Sequence, residues 1–572
     1  MTDQSAPDAP APEETAGAAA EVPAPEETDA AAEAPASDAA AEAPASDAAA
    51  EAPAPEVPAA AAEISAAYAV EGIPIHLGAV VEGDEPIPGA PVNLSLAMLN
   101  RHGLIAGATG TGKTKTLQVI AEQVARAGTP VFVADMKGDL SGIAVPGDAS
   151  EKLVARAAAR GQQFEARAGT TEFLSLGGQG NGTPIRTTVT DFGPVLLSKV
   201  LELNETQESS LGLIFHYADT HGLALLDLKD LRALIQFLTS DEGKSELKGI
   251  GGISSATAGV ILRSLTQFEN SGADVFFGEP AFDTSELLRQ APDGTGIISC
   301  LDLPGVAQRP ALFSTFMMWL LADLYQDLPE VGDLPQPKLV FFLDEAHLLF
   351  KGASKAFTEQ VIQTVRLIRS KGVGVFFITQ TPKDVPADVL AQLGNRVQHA
   401  LRAFTPEDAK AIKQTVATFP TTDYDLAAVM TALPTGEAIV TVMNESGAPT
   451  PVARTAIRAP ESSMDPAPPA DVERIVASSS IKDRYAQVVD RESAYEILTR
   501  RAQENAEAAA AGGESAGSTR GTSSAGGKKR STRSSAKETG FFEKPAVKSF
   551  LRSAGTVLGR EITRSLFGTR RR

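Results

Sequence analysis

The stretch that decides the fold is Gly107-Ala108-Thr109-Gly110-Thr111-Gly112-Lys113-Thr114. It matches G-x-x-x-x-G-K-[ST] in full, and its context is the one the motif requires. The apolar run Gly103–Ala106 before it reads as a short strand, and Thr114 to Ala127 after it has helical spacing. Three glycines let the backbone N–H groups turn inward around phosphate oxygens, and the following helix adds the positive end of its dipole. Lys113 is then expected to neutralise β- and γ-phosphates, with the Thr114 hydroxyl holding Mg2+. The residues from Gly107 to Thr114 together form the expected nucleotide-binding set.

Working outward, strands and helices alternate from Arg101, which argues for a parallel α/β sheet. The strand candidates are Gly103–Ala106, Val131–Ala134, Gly296–Leu301, Leu339–Leu343 and Val373–Thr379, all near-continuous apolar runs suited to burial on both faces. Leu339-Val-Phe-Phe-Leu-Asp-Glu345 ends such a run in two acids. Asp344 is expected to bind Mg2+ through water and Glu345 to polarise the attacking water as general base. Val373–Thr379 ends at Gln380, a polar residue placed to sense a γ-phosphate. Asp135 and Lys137, after the second strand, are expected at the same sheet edge, where open α/β sheets bind ligands. Arg366, Arg369, Arg396 and Arg402 all follow the acid pair. Arg396 and Arg402 are favoured as transition-state arginines, a role ring-forming ATPases usually fill from a neighbouring subunit. Asp344-Glu-Ala-His347 also spells a DEAH box, but a second motor unit is not visible, so His347 is read as a packing or local hydrogen-bonding residue. No guanine-reading NKxD element is visible, which favours ATP over GTP.

Composition separates three electrostatic regions within 572 residues and a net charge of −21. Residues 1–66 hold 15 Asp and Glu and no Lys or Arg, residues 501–572 hold 15 Lys and Arg against 6 Asp and Glu, and 67–500 carry −15. Cys300 is the single cysteine, so an internal disulfide or cysteine zinc site is excluded. No apolar run approaches the ~20 residues of a spanning helix. No secretory leader is evident either, and the expected compartment is the cytoplasm.

The expected organisation follows these shifts. Residues 1–66 form an Ala/Pro/Glu-rich acidic arm in which EAPASDAAA begins at Glu33 and recurs at Glu42. Lacking large apolar side chains, it is expected to stay disordered. A short β-rich lead-in covers 67–100, and the α/β core 101–458, with a mostly helical insertion at about 150–290. A Pro-rich segment and helix occupy 459–511, a flexible basic linker 512–540, and a basic amphipathic helix 541–572.

The segments NRHGLIAGATGTGKTKTLQV, VFVADMKGDLSG, FFLDEAHLLF, VRLIRSKGVGVFFITQTPKDVP and LGNRVQHALRAFTP resemble the bacterial HerA-like helicase C-terminal family, a branch of the HerA–FtsK P-loop ATPases. The similarity runs from about residue 70 to 500 and resumes in the tail at LRSAGTVLGREITRSLFG. The resemblance implies a RecA-like P-loop NTPase core, ATP and Mg2+ as cofactors, and a homo-oligomer, a hexameric ring in HerA and FtsK, that pumps double-stranded DNA. It matches Asp344 and Glu345 to the Walker B pair, Gln380 to the sensor and Arg396 to an arginine near the subunit boundary. The chain departs from HerA proper before the loop: about 40 residues separate the arm from Gly107, too few for the N-terminal β-barrel of that protein. Two functions follow as expectations. One is an Mg2+-dependent ATPase that translocates on or remodels double-stranded DNA, against which the −15 core counts because phosphate neutralisation dominates DNA affinity. The other is an ATP-switched assembly or signalling ATPase that docks a protein partner through the acidic arm or basic tail. The tail has two further expected destinations, an anionic membrane surface or the core itself.

Overall fold

Strand-forming sequence is spread along the whole core, and all of it joins one sheet. The structure, a computed structural model, describes residues 57–515 apart from 307–308 and 352–354. Most of the acidic arm, the basic linker and the amphipathic tail therefore lie outside the described residues. The strands are β1 (Pro74–Glu82), β2 (Glu85–Ser95), β3 (Gly103–Ala106), β4 (Val131–Asp135), β5 (Thr171–Leu176), β6 (Thr183–Ile185), β7 (Ile298–Asp302), β8 (Leu339–Leu343), β9 (Val373–Thr379), β10 (Asn395–Gln398), β11 (Glu437–Thr441) and β12 (Ala453–Ile457).

Their order is β2-β1-β12-β11-β10-β3-β9-β8-β4-β7-β5-β6. Every pairing from β10 to β6 is parallel, and β11, β12, β1 and β2 add an antiparallel wing. The fold is thus α/β with a mostly parallel sheet. Side chains alternate faces along each central strand. Ile105, Val340, Phe342, Phe376 and Ile378 pack with Leu117, Ile120 and Val124 of the helix Lys113–Arg126. Leu104, Phe341, Leu343, Val375 and Phe377 pack on the other side with the helix Pro310–Asp327 and the insertion. Both faces are covered, so the strands show no polar alternation.

Three local readings shift. The lead-in forms two strands of 9 and 11 residues, bent by register shifts between His76 and Gly78 and between Ala79 and Val81. The third strand candidate begins at Ile298, Gly296 being taken instead into an isolated antiparallel bridge with Gln290. The stretch 150–290 is not wholly helical: β5 and β6 lengthen the parallel sheet beyond β7. Phe173-Leu-Ser-Leu176 is too short for periodicity to separate strand from helix, and Pro184, which has no N–H to donate, is tolerated because β6 is an edge. Beyond β6 the segment is helical. Asn204 and Gln207 form a reciprocal capping box on the helix Glu205–Thr220, and Asp227 and Ser254 cap Leu228–Leu238 and Ser255–Asn270. Among the described residues no helix is long and apolar enough to cross a membrane.

Candidate active site

The registers fix which chain ends meet. Ala106 pairs with Thr379 of β9 on one side and Gln398 of β10 on the other. Leu343 pairs with Phe377 of β9 and Ala134 of β4. The loops that follow β3, β8, β9, β10 and β4 therefore all leave the same sheet edge, the ligand-binding edge of a parallel sheet.

The loop Gly107–Gly112 is held from both neighbours. Gly107 N–H donates to the Thr379 carbonyl at 3.2 Å and Ala108 N–H to the Ala400 carbonyl at 2.8 Å. From the far side, Gly436 N–H donates to the Thr111 carbonyl at 3.1 Å. Gly110 and Gly112 have φ of 77° and 115°, in the left-handed region where a side chain is strained. Gly107 is constrained by space as well: an added Cβ would stand 2.5 Å from His399 Cβ. Lys113 opens the helix and is buried, its Nζ donating to the Ala108 carbonyl at 3.2 Å. Burial lowers its pKa, with Lys137 nearby adding to that and Glu345, Asp344 and Asp139 opposing it. Thr114 follows, half-buried, while Ala108, Thr109 and Thr111 complete the loop wall.

Asp344 and Glu345 stand two strands from this loop, with β9 between. Asp344 is 2% exposed, and its Oδ2 has no hydrogen-bond partner among the described residues. Burial pushes its carboxyl up to about 7, Lys137 pulls it down, and Glu345 pushes it up again. Glu345 has φ of 48°, rare for a residue with a Cβ and a form of strain that clusters at functional sites. Its Oε1 is paired with Lys137 Nζ, and His347 Nδ1 lies 3.1 Å from its Oε2. That oxygen has no hydrogen-bond partner among the described residues.

Gln380 is exposed just past β9. It shares a cavity of about 390 Å3 with Ala108, Thr109, Arg402 and Phe404. Arg402 reaches this cavity with one hydrogen bond, to the Thr431 carbonyl at 3.2 Å. Arg396 does not join it. Its guanidinium donates to Thr418 Oγ1 at 2.6 Å and the Thr418 carbonyl at 3.2 Å, beside a separate cavity. Arg366 is exposed on its helix, and Arg369 faces Asp333 at 3.7 Å.

One contributor, His399, and one contact, Lys137 to Glu345, escaped the sequence reading of the site. Asp135 accepts hydrogen bonds from the N–H groups of Lys137, Gly138 and Leu140, at 3.1, 2.7 and 3.0 Å, and so fixes the turn that aims Lys137 at Glu345. Asp135 and Lys137 had been placed at this edge, but nothing in the spacing linked Lys137 to the acid pair. His399 lies under the loop, and its only signal was its position directly after a strand.

A parallel α/β protein with a glycine-rich phosphate loop and a buried acid pair at one sheet edge belongs to the P-loop class. The family profile described as "Helicase HerA-like C-terminal" matches residues 82–572, and the chain belongs to that family. Among solved structures it is similar to the plasmid coupling protein TrwB in complex with the non-hydrolysable ATP analogue ADPNP. That match is 17% identical and covers 71% of this chain and 94% of that one, with a TM-score of 0.47. TrwB with ADP and Mg2+ matches at 16% identity over 69% and 98%, TM-score 0.45. VirB4 of Thermoanaerobacter pseudethanolicus matches at 15% over 70% and 98%, TM-score 0.41. No curated protein matches the chain.

Proposed function

We propose that this chain is an Mg2+-dependent ATPase whose hydrolysis drives translocation on, or remodelling of, double-stranded DNA, working as a homo-oligomeric hexameric ring. One observation carries the chemistry: Lys113 in its phosphate loop and the Asp344–Glu345 pair leave the same sheet edge, one intervening strand apart. Family membership supports the motor and its DNA substrate.

The residues fit a divalent cation. A buried carboxylate oxygen without a hydrogen-bond partner, Asp344 Oδ2, is costly unless a cation meets it. Among the described residues no group of three or more His, Cys, Asp or Glu could hold a metal, so most ligands would be phosphate and water, the usual habit of Mg2+. Thr114 and Asp344 are the protein groups that would hold it. When bound, the ion neutralises phosphate charge.

The chain's own residues do the rest. Amides of Gly107–Gly112 and the Lys113 ammonium bind the phosphates. Glu345 takes the proton of the attacking water. Gln380 orients at the γ-phosphate end, and Arg402, which shares its cavity, is the better-placed arginine for stabilising transition-state charge; Arg396 is tied to Thr418.

The test is turnover without DNA, with single-stranded DNA and with double-stranded DNA, alongside solution mass. Stimulation by double-stranded DNA that fades with salt is expected. Equal turnover in all three overturns the DNA half and favours a protein substrate. Unaltered turnover in Glu345→Gln overturns the assignment of the base.

A further inference from the structure

Three cations converge on the acid pair once nucleotide is considered: Lys113, Lys137 and Mg2+. Only two of them belong to the chain, and they occupy different situations. Lys113 donates to its own loop at Ala108. Lys137 instead pairs with Glu345 and stands 4.0 Å from Asp344 Oδ2, so a single ammonium serves both buried carboxylates.

This placement is built into the fold. Asp135 gathers three N–H groups of the turn, and Gly138 adopts φ of 76° to close it. The lysine side chain itself is 41% exposed, whereas Glu345 is 9% exposed and Asp344 2%. The acids are locked in while the cation that neutralises them can leave. Lys137 Nζ holds Oε1, while Oε2, with His347 Nδ1 3.1 Å away, has no hydrogen-bond partner among the described residues. An ammonium held on Oε1 keeps a water molecule from that oxygen.

We propose that Lys137 is a removable restraint: in the nucleotide-free chain it occupies the charge position of the divalent cation and holds Glu345 out of action. Binding of a cation beside Asp344 sets two positive charges against each other in a poorly solvated site, and the γ-phosphate offers Lys137 an alternative anion. Lys137 then moves from Glu345 to the phosphate, and the base is freed only when the substrate is complete. Lys137 is a positioning residue in this scheme. The inference rests on the proposed ATPase reading for its consequence, but not for its first observable.

That observable is metal binding without nucleotide. Mn2+ titrated into nucleotide-free full-length chain, followed by electron paramagnetic resonance, is expected to bind Lys137→Gln at least about tenfold more tightly than wild type. Lys137→Arg, which keeps the charge, is expected to restore weak binding. In the same proteins, turnover of Mg·ATP without DNA is expected to rise several-fold in Lys137→Gln and stay low in Lys137→Arg. Mn2+ affinity equal in all three overturns the restraint. So does a fall in Lys137→Gln turnover, which would make Lys137 a phosphate ligand only. If wild type itself hydrolyses no ATP, the ATPase reading fails, while the Mn2+ series still decides whether Lys137 holds the cation's place.

Discussion

His399 Nε2 lies 2.8 Å from the Thr116 hydroxyl, joining the residue after β10 to the first turn of the helix that the phosphate loop opens. Its Nδ1 lies 2.9 Å from the Glu437 carbonyl, which can only accept, so Nδ1 carries the proton and Nε2 accepts from Thr116. His399 is fully buried, and its Cβ stands 2.5 Å from where a Cβ on Gly107 would lie. His399→Ala is expected to cost about 2–4 kcal/mol, from an unsatisfied hydroxyl and carbonyl plus a cavity. It should also raise the KM for ATP more than it lowers kcat. Urea unfolding and ATP titration check the two parts, and Gly107→Ala should reproduce the binding defect.

The same ring gives acid sensitivity a definite sign. Burial holds the His399 pKa down at about 4, against an ordinary 6.5, and His102, bonded to the Val365 carbonyl, is likewise at about 4. In the unfolded chain both protonate near 6.5, so their contribution is complete above that pH and is lost as pH falls towards 4. Each ring accounts for up to about 2–3 kcal/mol of that loss. His102→Gln and His399→Gln should each flatten the stability profile between these values, even if their stability at neutral pH is lower. Denaturant melts across that range provide the measurement.

Arg396 and Arg402 are expected to fail in opposite ways. Arg396 spends its guanidinium on Thr418 and the Leu393 carbonyl. Arg396→Ala should therefore lower stability by about 1–3 kcal/mol and leave turnover per folded molecule nearly intact. Arg402 has a single bond to the Thr431 carbonyl and faces the cavity beside Ala108 and Thr109. Arg402→Ala should leave the melting temperature close to wild type and lower kcat by at least about tenfold. Mixing it with Glu345→Gln chains tests whether it acts within a subunit or across one.

What the sequence made legible was local. Residues 107–114 announce a turn, a dipole and a phosphate ligand set within eight positions, and β8 runs directly into Asp344 and Glu345. The contacts that complete the site cross the sheet, and their spacing in sequence carries no trace of it. His399 meets Thr116 only because β10 pairs with β3, and Lys137 meets Glu345 only because β4 pairs with β8. Arg396 illustrates the converse: its place in sequence suggested the site, but it lies two residues inside β10, and its side chain goes to Thr418. The strands β5 and β6 were hidden by brevity, since short apolar runs look the same in a helix or a sheet.

The docking of the last described helix, Ala494–Ser515, supplies a pH effect of opposite sign. Ser493 Oγ lies between Asp230 Oδ1 and Glu496 Oε2, 2.8 Å from the latter. One hydroxyl proton cannot serve both acids. Asp230 already accepts from the N–H groups of Leu226, Asp227 and Tyr495, so the Ser493 proton goes to Asp230 and a protonated Glu496 donates to Ser493. Burial pushes Glu496 up to about 8, and the Asp230 charge adds to this. An unfolded glutamate ionises near 4.5, so the helix loses stability as pH rises from there to 8. Glu496→Gln keeps a donor for Ser493 and cannot ionise. It should match wild type at about pH 5 and exceed it by about 1–3 kcal/mol at about pH 9, with the shift discounted for solvent at the helix edge. Hydrogen exchange in 494–508 should slow in parallel at the higher pH. A variant that gains nothing on wild type between these two pH values would mean that Glu496 is ionised in the folded chain and that Ser493 donates to it instead.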